Sequence, residues 1–177
     1  MNKYTFEQLM NKAQFTPTTK ADTKKAEYAY NLYVKGFENG DSGAYGKAVE
    51  ILSRRPNSHK TTVAKQGKKD ATARIDGKLI AVEVKTNGGR VDGIKAKYVV
   101  YSLDVHNSTA DKTITARIIP TDVFIKALYD FNAIKEVRHN SIVDGLAIQP
   151  SKRKLWAWLE TMPEYDRTKD YTSDEIA

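Results

Sequence analysis

The chain has 177 residues, 40% of them hydrophobic and 29% charged, with a formal net charge of +7. That is a single domain's length of core-forming sequence, and the charge favours polyanionic partners. There is no cysteine, which excludes disulfides and thiolate metal centres. No apolar run spans a bilayer and no signal-peptide core opens the chain, so a cytoplasmic protein away from membranes is expected.

Thr5 to Ala13 is predicted to be a short helix capped by Thr5, with Phe6, Leu9 and Met10 on one face. Phe15-Thr16-Pro17 breaks it. Thr18 to Phe37 is a long helix, since Ala26, Tyr30, Tyr33 and Phe37 recur at helical spacing beside Leu32 and Val34. Tyr28, Tyr30 and Tyr33 either pack this helix onto its domain or offer bases a stacking surface; packing is the commoner use. Asn39-Gly40-Asp41 ends the helix. Asp41 or Ser42 caps a third helix running to about Arg54, with Ala44, Ala48, Ile51 and Leu52 as its apolar stripe. Glu50 lies away from the middle of that stripe, so the helix wheel alone makes it a solvent residue.

Arg54, Arg55 and Lys60 belong to a basic turn that leads into a first strand, Thr61 to Lys65. Gln66-Gly67-Lys68-Lys69 connects that strand to Asp70–Lys85, DATARIDGKLIAVEVK. Asp76-Gly77 is a pair suited to a two-residue hairpin turn, because both central positions take positive φ. With Ile75 facing Lys78, the register sets Ala73 opposite Ile80, Ala71 opposite Val82 and Asp70 opposite Glu83. Ala71, Ala73 and Ile75 then share a core face with Ile80, Val82 and Val84, and Asp70, Glu83 and Lys85 share the other.

Beyond the hairpin, Thr86-Asn87-Gly88-Gly89-Arg90 is a turn; Gly-Lys-Ser/Thr does not follow, so it is not a phosphate-binding loop. Asn87 and Arg90 are placed to reach nucleic acid from it. Tyr98 to Val105 and Thr113 to Ile119 read as strands. His106, in the loop between them, has no acid or nucleophile at a telling position. Pro120-Thr121-Asp122 starts a helix through about Ile134. Ile142 to Ile148 is a short strand or an irregular segment around Gly145. Lys152 to Leu159 is a last amphipathic helix carrying Trp156 and Trp158. Residues 1–159 thus form the domain. Residues 160–177 read as an acidic, loosely ordered tail, with Glu160, Glu164, Asp166, Asp170, Asp174 and Glu175. The order of elements predicts an α/β fold, a central mixed β-sheet flanked by helices.

The hairpin carries the chemistry. Two carboxylates directly opposed on a sheet repel. A divalent cation between them removes the penalty, and Mg²⁺ takes one or two carboxylates while keeping water and phosphate oxygens in its shell. Lys85 adds a positive charge where a scissile phosphate would lie. The alternative is a solvated hairpin face with scattered charges.

An acid on one strand followed by Glu83-Val84-Lys85 on the next resembles the PD-(D/E)xK nuclease superfamily, over roughly Gly46 to Leu103. Lys69 stands where that family usually writes a proline. The resemblance implies a restriction-endonuclease-like core and hydrolysis of DNA phosphodiesters, with RNA left open. It implies Mg²⁺, with Mn²⁺ as substitute, held by Asp70, Glu83 and the main-chain carbonyl of Val84. It gives Lys85 the attacking water and the transition-state charge, and it promotes Glu50 to a third acid of the site. Arg54, Arg55, Lys60, Lys68, Lys69, Asn87 and Arg90 are the expected nucleic-acid contacts. Cutting both strands of a duplex suggests a homodimer. The competing expectation is a nucleic-acid-binding or protein-docking module that keeps the nuclease scaffold without catalysis.

Overall fold

A computed structural model describes residues 3–55, 70–86, 89–102, 116–149 and 153–177. The expected strand over 61–65, the His106 loop, and Lys60, Lys68, Lys69, Asn87 and Lys152 lie outside the described residues.

The N-terminal part is three helices. Helix α1 (Phe6–Lys12) starts in a capping box, with Thr5 and Gln8 exchanging side-chain and main-chain hydrogen bonds. Helix α2 (Lys20–Asn39) is capped by Thr19 and stops at Gly40, whose φ of 64° is left-handed. Helix α3 (Ser42–Leu52) is capped by Asp41, which accepts from the Ala44 N–H at 3.0 Å. The three share one core of Leu9, Met10, Tyr33, Tyr45, Ile51 and Leu52. Tyr33 is therefore core, and the Tyr30 hydroxyl donates to the Tyr4 carbonyl. Tyr28 alone of the three tyrosines is exposed.

Next comes the hairpin. Strands β1 (Ala71–Ile75) and β2 (Lys78–Lys85) pair antiparallel from Ala71↔Val82 to Ile75↔Lys78, the register that the turn residues predict. Asp76 and Gly77 have φ of 51° and 73°, both positive, as a hairpin matched to strand twist requires. Strand β3 (Tyr98–Tyr101) pairs parallel with β2, and β4 (Arg117–Pro120) pairs antiparallel with β3. These are the described parts of the two strands expected over 98–105 and 113–119.

One face of this mixed sheet buries Ala71, Ala73, Val82, Val84, Val100 and Ile118. The other buries Val99, Tyr101 and Ile119 against helices α4 (Thr121–Asp130) and α5 (Arg153–Leu159). The fold is therefore mixed α/β.

Two stretches differ from the sequence-based expectation. Helix α4 ends at Asp130 rather than near Ile134, because Asn132 turns the chain at φ 51°. The chain then forms a second hairpin, β5 (Ile134–His139) with β6 (Ile142–Ile148). Here β6 is the strand reading of its stretch, and its partner β5 has no counterpart in the sequence-based expectation. The hairpin's turn residues Asn140 and Ser141 also have positive φ. Its turn end is exposed and only its base, Ile134, Leu146 and Ile148, packs on the core, so the sequence of β5 lacks the apolar alternation that marks a strand.

The larger correction is the end of the chain. The segment from Glu160, expected to be loosely ordered, is built into the fold. Glu164 bridges to Arg117 on β4, at one edge of the sheet. Strand β7 (Asp170–Tyr171) pairs parallel with β1 at the other edge, giving the order β4-β3-β2-β1-β7. Between the edges Tyr165 and Tyr171 stack at 6.4 Å and, with Ile176 of helix α6 (Ser173–Ile176), cover the sheet face that holds Val82 and Val84. Acidic composition points to solvent, but four residues, Tyr165, Arg167, Tyr171 and Ile176, are buried and anchor the whole stretch.

Candidate active site

Strand β2 is longer than its partner. The ladder between β1 and β2 ends at Ala71↔Val82, and Glu83, Val84 and Lys85 run on past it. Among the described residues, the main chain of Val84 therefore has no strand beside it on the β1 side. A buried N–H without a partner is costly, and Asp70 supplies one. Its Oδ2 accepts from the Val84 N–H at 2.9 Å. This corrects the expected arrangement: Asp70 is not a ladder residue opposite Glu83 but a side chain folded onto the backbone of the next residue.

The same alternation fixes Val84's carbonyl. The Ser102 N–H donates to the Lys85 carbonyl, so the main-chain groups of Lys85 face β3. Those of Val84 face the opposite way, toward Asp70. Glu83 and Lys85 project from the sheet face that carries Val99 and Tyr101, their partners in register. Their own side chains meet, Lys85 Nζ to Glu83 Oε1 at 3.0 Å, and both are mostly shielded from solvent.

Glu50 reaches the same region from α3. It pairs with Lys47 at 3.2 Å and lies 4.0 Å from the Arg54 guanidinium. Three effects raise the Asp70 carboxyl to about 6: burial first, then the charges of Glu50 and Glu83. The Val84 N–H and the Lys85 charge oppose the rise. Asp70 thus feels all three other members of the expected set, and Glu50 belongs to the neighbourhood despite the helix wheel.

The donors gathered here are carboxylate oxygens and a main-chain carbonyl, the set a hard divalent cation takes. They are not a finished cage. Among the described residues no three acids or histidines converge on one point, because Glu83 rests on Lys85 and Glu50 on Lys47.

The basic residues divide. Arg54 turns inward, its Nε donating to the Asp70 carbonyl at 3.1 Å. Arg55 donates to the Lys169 carbonyl at 3.1 Å and pairs with Asp170 at 3.3 Å. Arg90 pairs with Asp92 at 3.0 Å and with Asp144 at 3.6 Å, and its guanidinium also donates to the Asp144 carbonyl. Asp92, so paired and also accepting the Leu146 N–H, is lowered to about 2. All three arginines expected at nucleic acid thus have partners within the chain, Arg54 and Arg55 partly shielded and Arg90 at the exposed surface.

Sequence reasoning missed the buried pair behind this region. Arg167 lies 3.5 Å from Asp22, with both side chains almost fully buried, and its guanidinium covers the Phe15 ring at 3.6 Å. A single arginine in an acidic tail is the one signal that pointed to it.

Comparison with family models, with curated proteins and with solved structures finds no match. Among the described residues, no helix is long and apolar enough to cross a membrane.

Proposed function

We propose that the protein is a divalent-metal-dependent nuclease that hydrolyses phosphodiester bonds in DNA. One observation carries the reading. Asp70 is fixed to the backbone of Val84, between Glu83-Val84-Lys85 and the acid of α3, and both Glu50 and Glu83 are close enough to raise its pKa. A fold under selection for stability alone gains nothing from half-burying Asp70 beside the charges of two other acids, which oppose its ionisation.

In this reading Asp70, Glu83 and the Val84 carbonyl hold Mg²⁺, or Mn²⁺ in its place, with Glu50 completing the acidic side. When bound, such a cation acidifies water and offsets charge on the phosphate. Lys85 orients the attacking water and donates to the phosphoryl oxygen on which charge builds. Val82 and Val84, packed in the core behind, keep the strand that presents these groups rigid. The restriction-endonuclease-like core and a homodimer, one site per strand of duplex, belong to the same proposal, as does a cytoplasmic setting. The net charge of +7 favours a polyanionic substrate, DNA or RNA.

A second reading has its own observation. Glu83 and Lys85 neutralise each other, and the acids lack a common focus. That is the arrangement of a scaffold that binds nucleic acid, or docks a protein, without cutting. Incubation of the purified protein with supercoiled plasmid and with RNA, in Mg²⁺, Mn²⁺ or EDTA, separates the two. Nicking that needs the cation and disappears in Asp70→Asn supports the nuclease. Retention of DNA with no cleavage in either cation overturns it in favour of the scaffold.

A further inference from the structure

The end of the chain grips three consecutive residues beside the candidate site. The Tyr165 hydroxyl donates to the Ser53 carbonyl. Arg167 Nη1 donates to the Arg54 carbonyl at 3.2 Å. Arg55 reaches the other way, donating to the Lys169 carbonyl. The gripping segment is itself pinned at both sheet edges, by the Glu164 bridge to Arg117 and by β7 on β1. Arg167 is further held by the carbonyl of Thr16 at 3.2 Å and by buried Asp22.

What the grip holds is the aim of one side chain. Arg54 is partly shielded and stands between two acids, with Nε on the carbonyl of Asp70 and a terminal nitrogen 4.0 Å from Glu50. Asp70 in turn spends one carboxylate oxygen on Val84. A guanidinium suits this task, because its planar fork can serve a carbonyl and a carboxylate at once.

We propose that Arg54 is a positioning residue of the candidate site, and that the segment Tyr165–Asp170 is the strap that aims it. The strap fixes the backbone of Arg54, Arg54 fixes the backbone of Asp70, and Asp70 keeps its carboxylate on Val84. Arg54 therefore acts through Asp70 and does not touch nucleic acid. The inference rests on the nuclease reading for the role of Asp70, but its test needs neither metal nor substrate.

The Val84 amide is the reporter, since its N–H has the Asp70 side chain as its partner rather than a strand. Amide hydrogen exchange is measured by NMR on the metal-free full chain. Arg54→Gln is expected to lower protection at Val84 by about tenfold or more and to leave Val82 and Val99 within twofold of wild type. Retention of a DNA duplex in EDTA is expected to stay unchanged. Arg167→Lys, one step further back, is expected to lower Val84 protection by less.

Unaltered protection at Val84 in Arg54→Gln overturns the proposal. Weakened DNA retention with Val84 unaltered overturns it too, and assigns Arg54 to phosphate contact. Should Arg54→Gln lose protection throughout the sheet, Arg54→Lys decides, because it keeps the stem and the charge but not the fork. Selective loss at Val84 then supports the strap, and no change there overturns it. A wild-type protein that never cleaves DNA defeats the nuclease reading and leaves the Val84 result standing.

Discussion

Asp70 is bound to Val84 through its side chain, not through the ladder: its Oδ2 takes the Val84 N–H at 2.9 Å. The hydrogen bond ties the first acid to the strand that carries the second. It also stations a half-buried carboxylate beside Glu83 and within reach of Glu50's charge, and the carboxyl rises to about 6 in consequence.

The sign of the resulting pH dependence follows from linkage. Asp70's ordinary value is 3.8, below the folded one. Between pH 4 and pH 6, approximately, the folded chain holds a proton that the unfolded chain has lost, so stability falls as pH rises through that window. Asparagine keeps the acceptor for Val84 without the charge. Asp70→Asn is therefore expected to be more stable than wild type at pH 7.5 in EDTA, by on the order of 1 kcal/mol once solvent screening of a half-exposed group is allowed for. The gap should close below about pH 4. Urea unfolding across pH 4 to 8 measures it; a wild type that is the more stable protein at pH 7.5 removes the burial penalty from the argument. In the nuclease reading the same substitution abolishes cleavage, and acid weakens metal binding in wild type because Asp70 must lose its proton first.

Lys85 separates chemistry from binding. Its amine lies 3.0 Å from Glu83 and is mostly shielded, so it has little surface to offer a duplex at a distance. Lys85→Ala is expected to lower single-turnover cleavage by about 10²–10³-fold while the affinity for DNA changes by less than about threefold. A parallel loss of affinity and rate would make Lys85 a phosphate anchor instead. Gel-shift titration in EDTA and plasmid nicking in Mg²⁺ supply the two numbers.

The Asp22–Arg167 pair is buried at both ends, and removing one partner strands the other's charge. Asp22→Ala is expected to cost ~3 kcal/mol, because breaking a buried pair costs 3–5 kcal/mol in comparable cases. Asp22 also accepts from the Thr18 hydroxyl at 3.3 Å, so part of the loss is local to α2. Asp22→Asn with Arg167→Met should cost less than the two single changes summed, since neither charge is then left alone. Urea unfolding of the four proteins closes the cycle, and simple additivity would show that the pair is not coupled.

Sequence reading reached the hairpin register residue by residue because two constraints agreed: a turn pair that tolerates positive φ, and an alternation that buries one face. It placed Asp70, Glu83 and Lys85 in one neighbourhood for the same reason. It misjudged how Asp70 gets there, because a ladder projected past its last pair ignores which acceptor the Val84 N–H will donate to. Of the second hairpin, β6 was legible as a short strand around Gly145, but β5 escaped notice because only the base of the hairpin, at Ile134, Leu146 and Ile148, meets the core. The C-terminal strap escaped because its anchors are few and far apart, and composition averaged over 160–177 dilutes Tyr165, Arg167 and Tyr171 among acids. Arg54 looked like a surface charge because its partners, a carbonyl and a helix acid, are 16 and 4 residues away in opposite directions along the chain.

The packing of α3 on α2 makes a final prediction, since α3 carries Glu50. At Gly36 a Cβ would lie 2.8 Å from the Tyr45 Cβ and 3.0 Å from the Asp41 carbonyl oxygen and the Tyr45 nitrogen. Two of those three atoms are backbone, so the helices must separate to admit it. Alanine would gain about 1 kcal/mol of helix propensity at either helical glycine, but overpacking costs ~1–3 kcal/mol. Gly36→Ala is therefore expected to destabilise the chain by about 1 kcal/mol net. Gly46, one turn before Glu50, has nothing within 4 Å of the same added atom, so Gly46→Ala should instead stabilise by about 0.5–1 kcal/mol. Opposite signs for two Gly→Ala changes, read from urea midpoints, are the signature of close helix contact at one and open surface at the other. Equal signs would mean that α2 and α3 do not meet at Gly36.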